Sequence, residues 1–447
     1  RVRTAQNVGF KRFCRRVFDG LDVGLDYQLD RLRAALSVET YQPHPGQRVL
    51  AAKPSGLQRP LTFLDPRDQI VLQALVNIAA IRMEPKRRLA IARYVCSNRV
   101  VGDASIHFFK PWHKSYGLFR KRIGARLKAG YFFAADFDLA SFYDTISHTR
   151  LAETVFGRNR QHIELLQRCL LAWSPRRLRH GLPQGPAACD YLAECYLSAI
   201  DTELIREKIV YLRYVDDIII FGKTPADVQT GVLRLEALCR EHGLIPQAGK
   251  FKAGRRVKNA SELVKSASGY AYGPPSNGKL LSKADTASAY AAAVSRKTRI
   301  IIKPTLAKRA LFRGSPTNRL ITQVLKDLDK NPAFIEAYAA YLQRFGHSRR
   351  IANLMKKLIM RGSPYQFVQG EYWIILISAS MTIDPTMVAL ARRALINDGL
   401  PATLRLALYS VLLKDASRAS AQVLIRTLRK ERTDWVRAWT LSHFRRV

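Results

Sequence analysis

Two adjacent carboxylates, Asp216 and Asp217, sit between Tyr211-Leu212-Arg213 and a run of β-branched and aromatic residues, Ile218-Ile219-Ile220-Phe221. Flanks of this kind read as the two strands of a hairpin. The motif Tyr214-Val215-Asp216-Asp217 then occupies its tight turn, with the acids pushed out of the sheet. Neighbouring carboxylates repel one another unless a cation neutralises them. The chain is thus constrained to a fold that presents an acidic hairpin tip, and such a tip suits Mg²⁺. A solvated Asp-Asp turn is the plainer reading, because Asp is a common turn residue.

A second acidic site bears on that choice. Residues 131–138 form a strand-like apolar run that ends in Asp136 and Asp138, and the next residues, from Leu139 through Phe142-Tyr143-Asp144-Thr145-Ile146, lead toward a helix. An acid at the end of a buried strand, facing an acidic hairpin, supplies the remaining ligands for two ions. Two such metals can activate an attacking 3′-hydroxyl and stabilise leaving pyrophosphate, the chemistry of nucleotidyl transfer.

In motif order the chain resembles a reverse transcriptase over roughly residues 30–275. The resemblance rests on five segments: Lys53 through Arg59-Pro60-Leu61 with Asp65-Pro66-Arg67-Asp68, then Asp138 through Ile146, Gly181-Leu182-Pro183-Gln184-Gly185, Tyr214-Val215-Asp216-Asp217, and His242-Gly243-Leu244 followed by Lys250. Ser268-Gly269-Tyr270-Ala271-Tyr272-Gly273 is a weaker match to a primer-grip hairpin. The resemblance implies an α+β right-hand polymerase with fingers, palm and thumb. It implies Asp138 and Asp216 as principal metal ligands, with Asp217 an auxiliary carboxylate, for two Mg²⁺ ions or alternatively Mn²⁺. Asp136 fits the spacing to Phe142, Tyr143 and Ile146 less well, and an ion-paired acid is its plainer reading. Tyr143 would lie beneath the sugar of the incoming nucleotide, where a ring clashes with a 2′-hydroxyl and favours dNTPs; an ordinary core tyrosine is the alternative. Gln184 would support the nucleotide, Gly185 would let the backbone approach it, and Lys250 completes the substrate set. Lys53 and Arg59 would hold the triphosphate, or stand as plain surface cations.

Composition agrees with a polyanionic partner. There are 74 Lys plus Arg against 35 Asp plus Glu, a formal charge of +39. Such an excess self-repels without phosphate to neutralise it and makes binding steeply salt-dependent. The expected partners are an RNA template or noncoding RNA, dNTPs and a DNA product. The six cysteines, Cys14, Cys96, Cys169, Cys189, Cys195 and Cys239, form no Cys-x-x-Cys pair, so they suggest reduced thiols rather than zinc or disulfides. The most apolar run, Trp373 to Met381, is too short to span a bilayer. A cytoplasmic protein without a membrane partner is expected, and the start at Arg1 suggests that the original terminus is missing.

Five regions are expected. Residues 1–40 form an N-terminal helical segment, 41–130 the fingers and start of the palm, 131–275 the palm, 276–304 a thumb-like helical segment, and 305–447 an all-α domain. A helix is predicted from Pro66 through Ile81, and Pro274-Pro275-Ser276-Asn277-Gly278 marks a turn. Beyond residue 304, amphipathic segments are broken at Gly314-Ser315-Pro316, Asn331-Pro332, Gly346, Gly362-Ser363-Pro364, Asp384-Pro385 and Gly399-Leu400-Pro401. This pattern resembles a HEAT-like array of stacked helix pairs, with an irregular helical bundle as the alternative.

The tail also bears on the kind of reverse transcriptase. The segment from Asn98-Arg99 through Phe108-Phe109-Lys110-Pro111-Trp112 departs from the Gly-Phe-Arg signature of intron and retron enzymes. A polymerase core joined to a helical-repeat tail resembles the abortive-infection and related defence-associated bacterial enzymes. That resemblance implies antiviral DNA synthesis, in some members untemplated or primed on a protein hydroxyl, with a homo-oligomer or a second defence protein as further partner. Tyr338, Tyr341, Tyr365, Tyr372 and Tyr409 are the tail's candidate priming hydroxyls. An RNA-dependent RNA polymerase, an intron- or retron-type enzyme and a non-catalytic RNA-binding scaffold are the rival readings.

Overall fold

A computed structural model of the chain describes Phe18, Leu21 and residues 24–101, 105, 107–248, 252–263, 281–396 and 399–444. Its first helix is α1 (Leu25–Ser37). From there the described chain forms two compact units. One holds Leu32–Gly46 and 67–263; the other holds 24–31, Gln47–Pro66 and 281–444. The turn expected at 274–278, the weak match at 268–273 and most of the N-terminal segment lie outside the described residues.

The first unit is organised by a four-stranded antiparallel sheet of order β5-β6-β3-β8. Its strands are β3 (Phe133–Phe137), β5 (Tyr211–Tyr214), β6 (Asp217–Gly222) and β8 (Lys252–Arg256). Alternation along a strand sends neighbours to opposite faces. Leu212, Tyr214, Ile219 and Phe221 therefore share one face with Ala134 and pack with Tyr116, Phe119 and Ile123 of α3 (Trp112–Lys128). Ile220 points the other way, toward α8 (Pro225–Glu241). There Gly231 leaves room, and a Cβ at that position would sit 2.7 Å from the Ile220 methyl. Behind lies α7 (Ala187–Arg206), buried along most of its length.

The helix predicted from Pro66 does start there, but it runs past Ile81 to Leu89 as α2 (Pro66–Leu89), with Pro85 inside it. Met83 and Arg87, one turn apart, are both buried, and that shared face carries the helix through a residue that usually stops one. The Asp68 side chain on α2 is fully buried and anchors the unit's outer layer. It accepts from the Tyr41 hydroxyl at 2.5 Å, the His44 amide at 2.9 Å and the Trp173 indole at 3.1 Å. A buried carboxylate with three donors meets its desolvation cost through hydrogen bonds.

In the second unit, β1 (Gln47–Ala52) and β2 (Gln58–Phe63) form a hairpin that packs on α14 (Gln366–Ala379). The rest is helical: α9 (Lys283–Ala293), α10 (Pro304–Arg313), α11 (Asn318–Asp327), α12 (Ile335–Leu342), α13 (Arg349–Arg361), α15 (Pro385–Leu395), α16 (Ala402–Asp415), α17 (Arg418–Lys430) and α18 (Asp434–Phe444). Every expected break falls at a helix end. Gly346 and Gly362 turn the chain at φ +59° and +80°, a left-handed conformation that glycine adopts freely. Asp384 caps α15 by accepting from the Thr386 amide, with Pro385 in its first turn. Trp373 to Met381, the apolar run, lies largely in buried α14, and no described helix is long and apolar enough to cross a membrane.

Candidate active site

The hairpin expected around Asp216-Asp217 is present. Strands β5 and β6 pair with Tyr214 opposite Asp217, leaving Val215 and Asp216 as a two-residue turn. Strand β6 also pairs with β3, and its last pair is Phe137 with Ile218. Asp138 and Asp217, each one residue beyond that last pair, thus come to the same end of the sheet with Asp216 in the adjoining turn, and all three are half-buried. Asp138 is fixed on its other side by the Gln247 amide, which donates to its carbonyl at 2.8 Å. Beyond it β4 (Leu139–Ala140) pairs with β7 (Ile245–Pro246), so the segment after His242-Gly243-Leu244 is tied to the first acidic motif. Asp136 is buried, 3.6 Å from Arg255 of β8, the ion-paired arrangement.

The turn is strained. Val215 has φ +58° while Asp216 keeps a negative φ, a pattern in which glycine is the usual first residue of a hairpin turn. A β-branched residue there is an outlier that persists only where its surroundings hold it. Two groups do so: Ser97 accepts from the Val215 amide at 2.8 Å, and Arg213 donates to the Val215 carbonyl at 2.9 Å. Arg213, 1% exposed, faces away from α3 and meets two acids of α7. It donates to Asp201 at 3.0 and 2.5 Å and to Glu194 at 2.7 Å. Glu194 accepts in turn from Ser97 and, at 3.3 Å, from Asn98, while Tyr211 donates to Asp201 at 2.9 Å.

Tyr143 rises on a single helical turn, α4 (Phe142–Thr145), that follows a left-handed Ser141. The Gly181–Gly185 segment docks onto this turn. The Leu182 amide donates to the Tyr143 carbonyl at 2.7 Å, and the Gly181 amide to the Ile146 carbonyl at 2.8 Å. From α5 (His148–Phe156), His148 contacts the Gly181 carbonyl at 2.7 Å; a carbonyl only accepts, so Nε2 carries the proton. Burial lowers His148 to about 4 against the Gly181 bond, which favours the charged form, with His180 adding to the lowering. The ring is therefore a neutral donor near pH 7. The Tyr143 hydroxyl donates to Asp190 at 2.6 Å. Burial raises the Tyr143 phenol well above its usual value, with the charges of Asp190 and then Asp216 adding to the effect. Gln184 is half-buried nearby in sequence, and Gly185 has φ +133°, a conformation that L residues rarely adopt.

Not all candidate residues are gathered here. Lys53 and Arg59 belong to the second unit, on the β1–β2 hairpin, where burial lowers the Lys308 ammonium against the pull of Glu336 and the charge of Arg59 adds to the lowering. Tyr365 donates to the Gly56 carbonyl at 2.9 Å at the hairpin's tip. Lys250 lies outside the described residues. Ser97, Asp190, Glu194, Asp201 and Arg213 belong to none of the candidate site residues of the sequence motifs. A signal existed: Arg213 is a lone cation in an apolar strand just before the acidic pair, and Glu194 and Asp201 stand two turns apart on a helix of apolar residues.

Carboxylates at a sheet edge are hard oxygen donors, the set that a divalent cation takes. Among the described residues, Asp138, Asp216 and Asp217 do not have their oxygens all within 4.8 Å of one another. That spread is compatible with a two-ion site, whose ions stand about 4 Å apart. The fold and this edge define a polymerase-type palm with the makings of a nucleotidyl-transfer centre. Residues 85–268 match the family model described as reverse transcriptase (RNA-dependent DNA polymerase). Those residues thus form a reverse-transcriptase-like domain within the chain. It is 26% identical over 190 residues to an uncharacterized 91 kDa protein in cob intron of Schizosaccharomyces pombe, a match covering 41% of this chain and 21% of that protein. The chain therefore spans about a fifth of the curated relative it matches. Among solved structures it is similar to apo telomerase from Candida tropicalis, at TM-score 0.38 and 10% identity over 89% of this chain and 69% of that one. Telomerase from Candida albicans, in complex with a fragment of telomeric RNA, gives TM-score 0.35 and 10% identity over 88% and 67%.

Proposed function

We propose that the protein is an RNA-directed DNA polymerase that adds dNTPs with two Mg²⁺ ions held by Asp138, Asp216 and Asp217. The observation that carries this reading is the β3–β6 register, whose last pair, Phe137 with Ile218, stands one residue from Asp138 and one from Asp217, with Asp216 beside them, within the matched reverse transcriptase region. When bound, the ions would supply Lewis-acid activation of the primer 3′-hydroxyl and charge stabilisation at the leaving pyrophosphate. The chain's own residues do the rest. Tyr143, anchored by Asp190, excludes a ribose 2′-hydroxyl from the sugar site. Gln184 and Gly185 form the floor beneath the nucleotide.

The helical run of residues 305–447, after a thumb-like segment at 276–304, is read as a HEAT-like stack that binds RNA or a partner subunit. Contacts of α14 with α12, α13 and α16, and of α16 with α15, α17 and α18, support a stacked arrangement. With the polymerase core this architecture supports a cytoplasmic antiphage role. If synthesis is primed on protein, Tyr365 is the tail's candidate, since Tyr338, Tyr341, Tyr372 and Tyr409 are at most 2% exposed. A second reading, an intron-type reverse transcriptase, is favoured by the match to a protein named for its place in an intron.

The test is incorporation of each labelled dNTP with Mg²⁺ and co-purifying nucleic acid, beside an Asp216→Ala/Asp217→Ala variant. Incorporation lost in the variant supports the polymerase, and a shift of product on protease treatment supports protein priming. Salt-sensitive RNA binding without incorporation would support the scaffold reading instead.

A further inference from the structure

We propose that Ser97, Glu194 and Arg213 are positioning residues that hold the Val215 peptide in its left-handed conformation and thereby aim Asp216 and Asp217 at their metals. The inference rests on the polymerase reading for its consequence, but its geometry stands alone. A hairpin turn whose first residue has φ +58° is comfortable for glycine, and this one has valine. Left free, that peptide would relax toward negative φ, and the adjoining carboxylates would swing with it.

Both polar groups of the Val215 peptide are gripped from inside the protein. Ser97 takes the amide at 2.8 Å and Arg213 the carbonyl at 2.9 Å. The two grips are joined through one carboxylate, because Glu194 accepts from Ser97 on one oxygen and from Arg213 at 2.7 Å on the other. Ser97, Glu194 and Arg213 are each 1% exposed. Ser97 is delivered by the segment that borders β5, where Arg213 donates its amide to the Tyr94 carbonyl at 2.9 Å and accepts from the Cys96 amide at 3.0 Å. A buried ion pair is poor evidence of stability by itself and better evidence of a fixed register. Here the thing fixed is a strained turn carrying two acids. Arrangements of this kind store backbone strain where function needs a defined geometry.

The experiment measures Mn²⁺ binding by electron paramagnetic resonance, without turnover, and amide exchange at the β5–β6 turn. Both are read in the full chain, its Ser97→Ala and Val215→Gly variants, and the double variant. Ser97→Ala should speed exchange of the Val215 amide at least tenfold and weaken Mn²⁺ binding by about tenfold, one lost hydrogen bond. Adding Val215→Gly should return Mn²⁺ affinity to within about threefold of the parent, because glycine needs no grip to keep positive φ. A merely structural serine would show no such rescue. Should Ser97→Ala not fold, Ser97→Cys, with a poorer acceptor of similar shape, takes its place under the same readouts. Unchanged exchange and unchanged Mn²⁺ affinity in the folded serine variant would overturn the proposal, and so would weakened binding that glycine does not rescue. If the parent neither binds Mn²⁺ in an Asp216/Asp217-dependent way nor incorporates dNTPs, the polymerase reading fails. Exchange at Val215 then decides the grip on its own: faster exchange in Ser97→Ala supports it, and unchanged exchange sinks it.

Discussion

Replacing Asp190 by Asn tests how Tyr143 is held. Burial raises the Asp190 carboxyl to about 7 from an ordinary 3.8, opposed by the Tyr143 hydrogen bond and reinforced by Glu194 one turn along α7. A carboxyl raised on folding contributes stability that is complete below the unfolded value and lost as pH rises through the folded one. Between pH 4 and 7 the unfolded chain has released this proton and the native state still holds it, so stability falls with pH. At about 1.4 kcal/mol per pH unit of displacement, integration gives a loss of about 3 kcal/mol from pH 5 to pH 8, nearly all before pH 7. Asn cannot ionise, yet its amide oxygen still accepts from Tyr143. The Asp190→Asn variant should therefore gain on the parent by that amount as pH rises. With a urea m-value of about 3 kcal/mol/M, the midpoint gap should widen by about 1 M. Exchange of α7 and β5–β6 peptides in urea at pH 5, 6.5 and 8 would read the first unit alone. Parallel pH profiles for the two proteins would refute the reasoning, since they would mean that the carboxyl titrates as an ordinary exposed acid.

Other outcomes follow from the same contacts. Tyr143→Ala should raise rNTP use relative to dNTP by roughly tenfold or more, the scale of one lost steric contact, and Asp190→Ala should do so partially while Asp190→Asn does not; competition between labelled nucleotides measures all three. Arg213→Met leaves Asp201 with Tyr211 but no cation, and removing one partner of a buried pair costs about 3–5 kcal/mol, readable as a urea midpoint lowered by more than about 1 M. Asp138→Asn should abolish incorporation while leaving the urea midpoint within about 0.3 M of the parent, because the residue is only half-buried and surface changes are typically within about 0.5 kcal/mol. A fall in midpoint as large as that of Arg213→Met would make Asp138 part of the core instead.

The hairpin was legible because its strands are dense in β-branched and aromatic residues on both sides of a pair of acids that no apolar surroundings would tolerate unpaired. The tail's helix ends were legible for a similarly local reason, with proline and glycine at the breaks. What could not be read was long-range. Nothing near Val215 announces that its turn has the wrong residue, because the strain is visible only in φ. Its remedy comes from Ser97, more than a hundred residues earlier, and from two acids on α7. The lone Arg213 was the available clue. Strand alternation gives Tyr214 to the α3 side and so turns Arg213 inward toward α7, where a buried guanidinium demands carboxylates. A charged residue at an inward strand position next to an acidic hairpin motif is thus itself a prediction: somewhere in the chain stand its counter-ions, and what they hold in place is the motif. The mispredicted end of α2 follows the same logic. Pro85 argues locally for a stop, but Arg87 lies buried 3.6 Å from Glu194, the carboxylate that also binds Arg213 and Ser97. Carrying the helix through its proline brings a further cation to the acid behind the Val215-Asp216 turn.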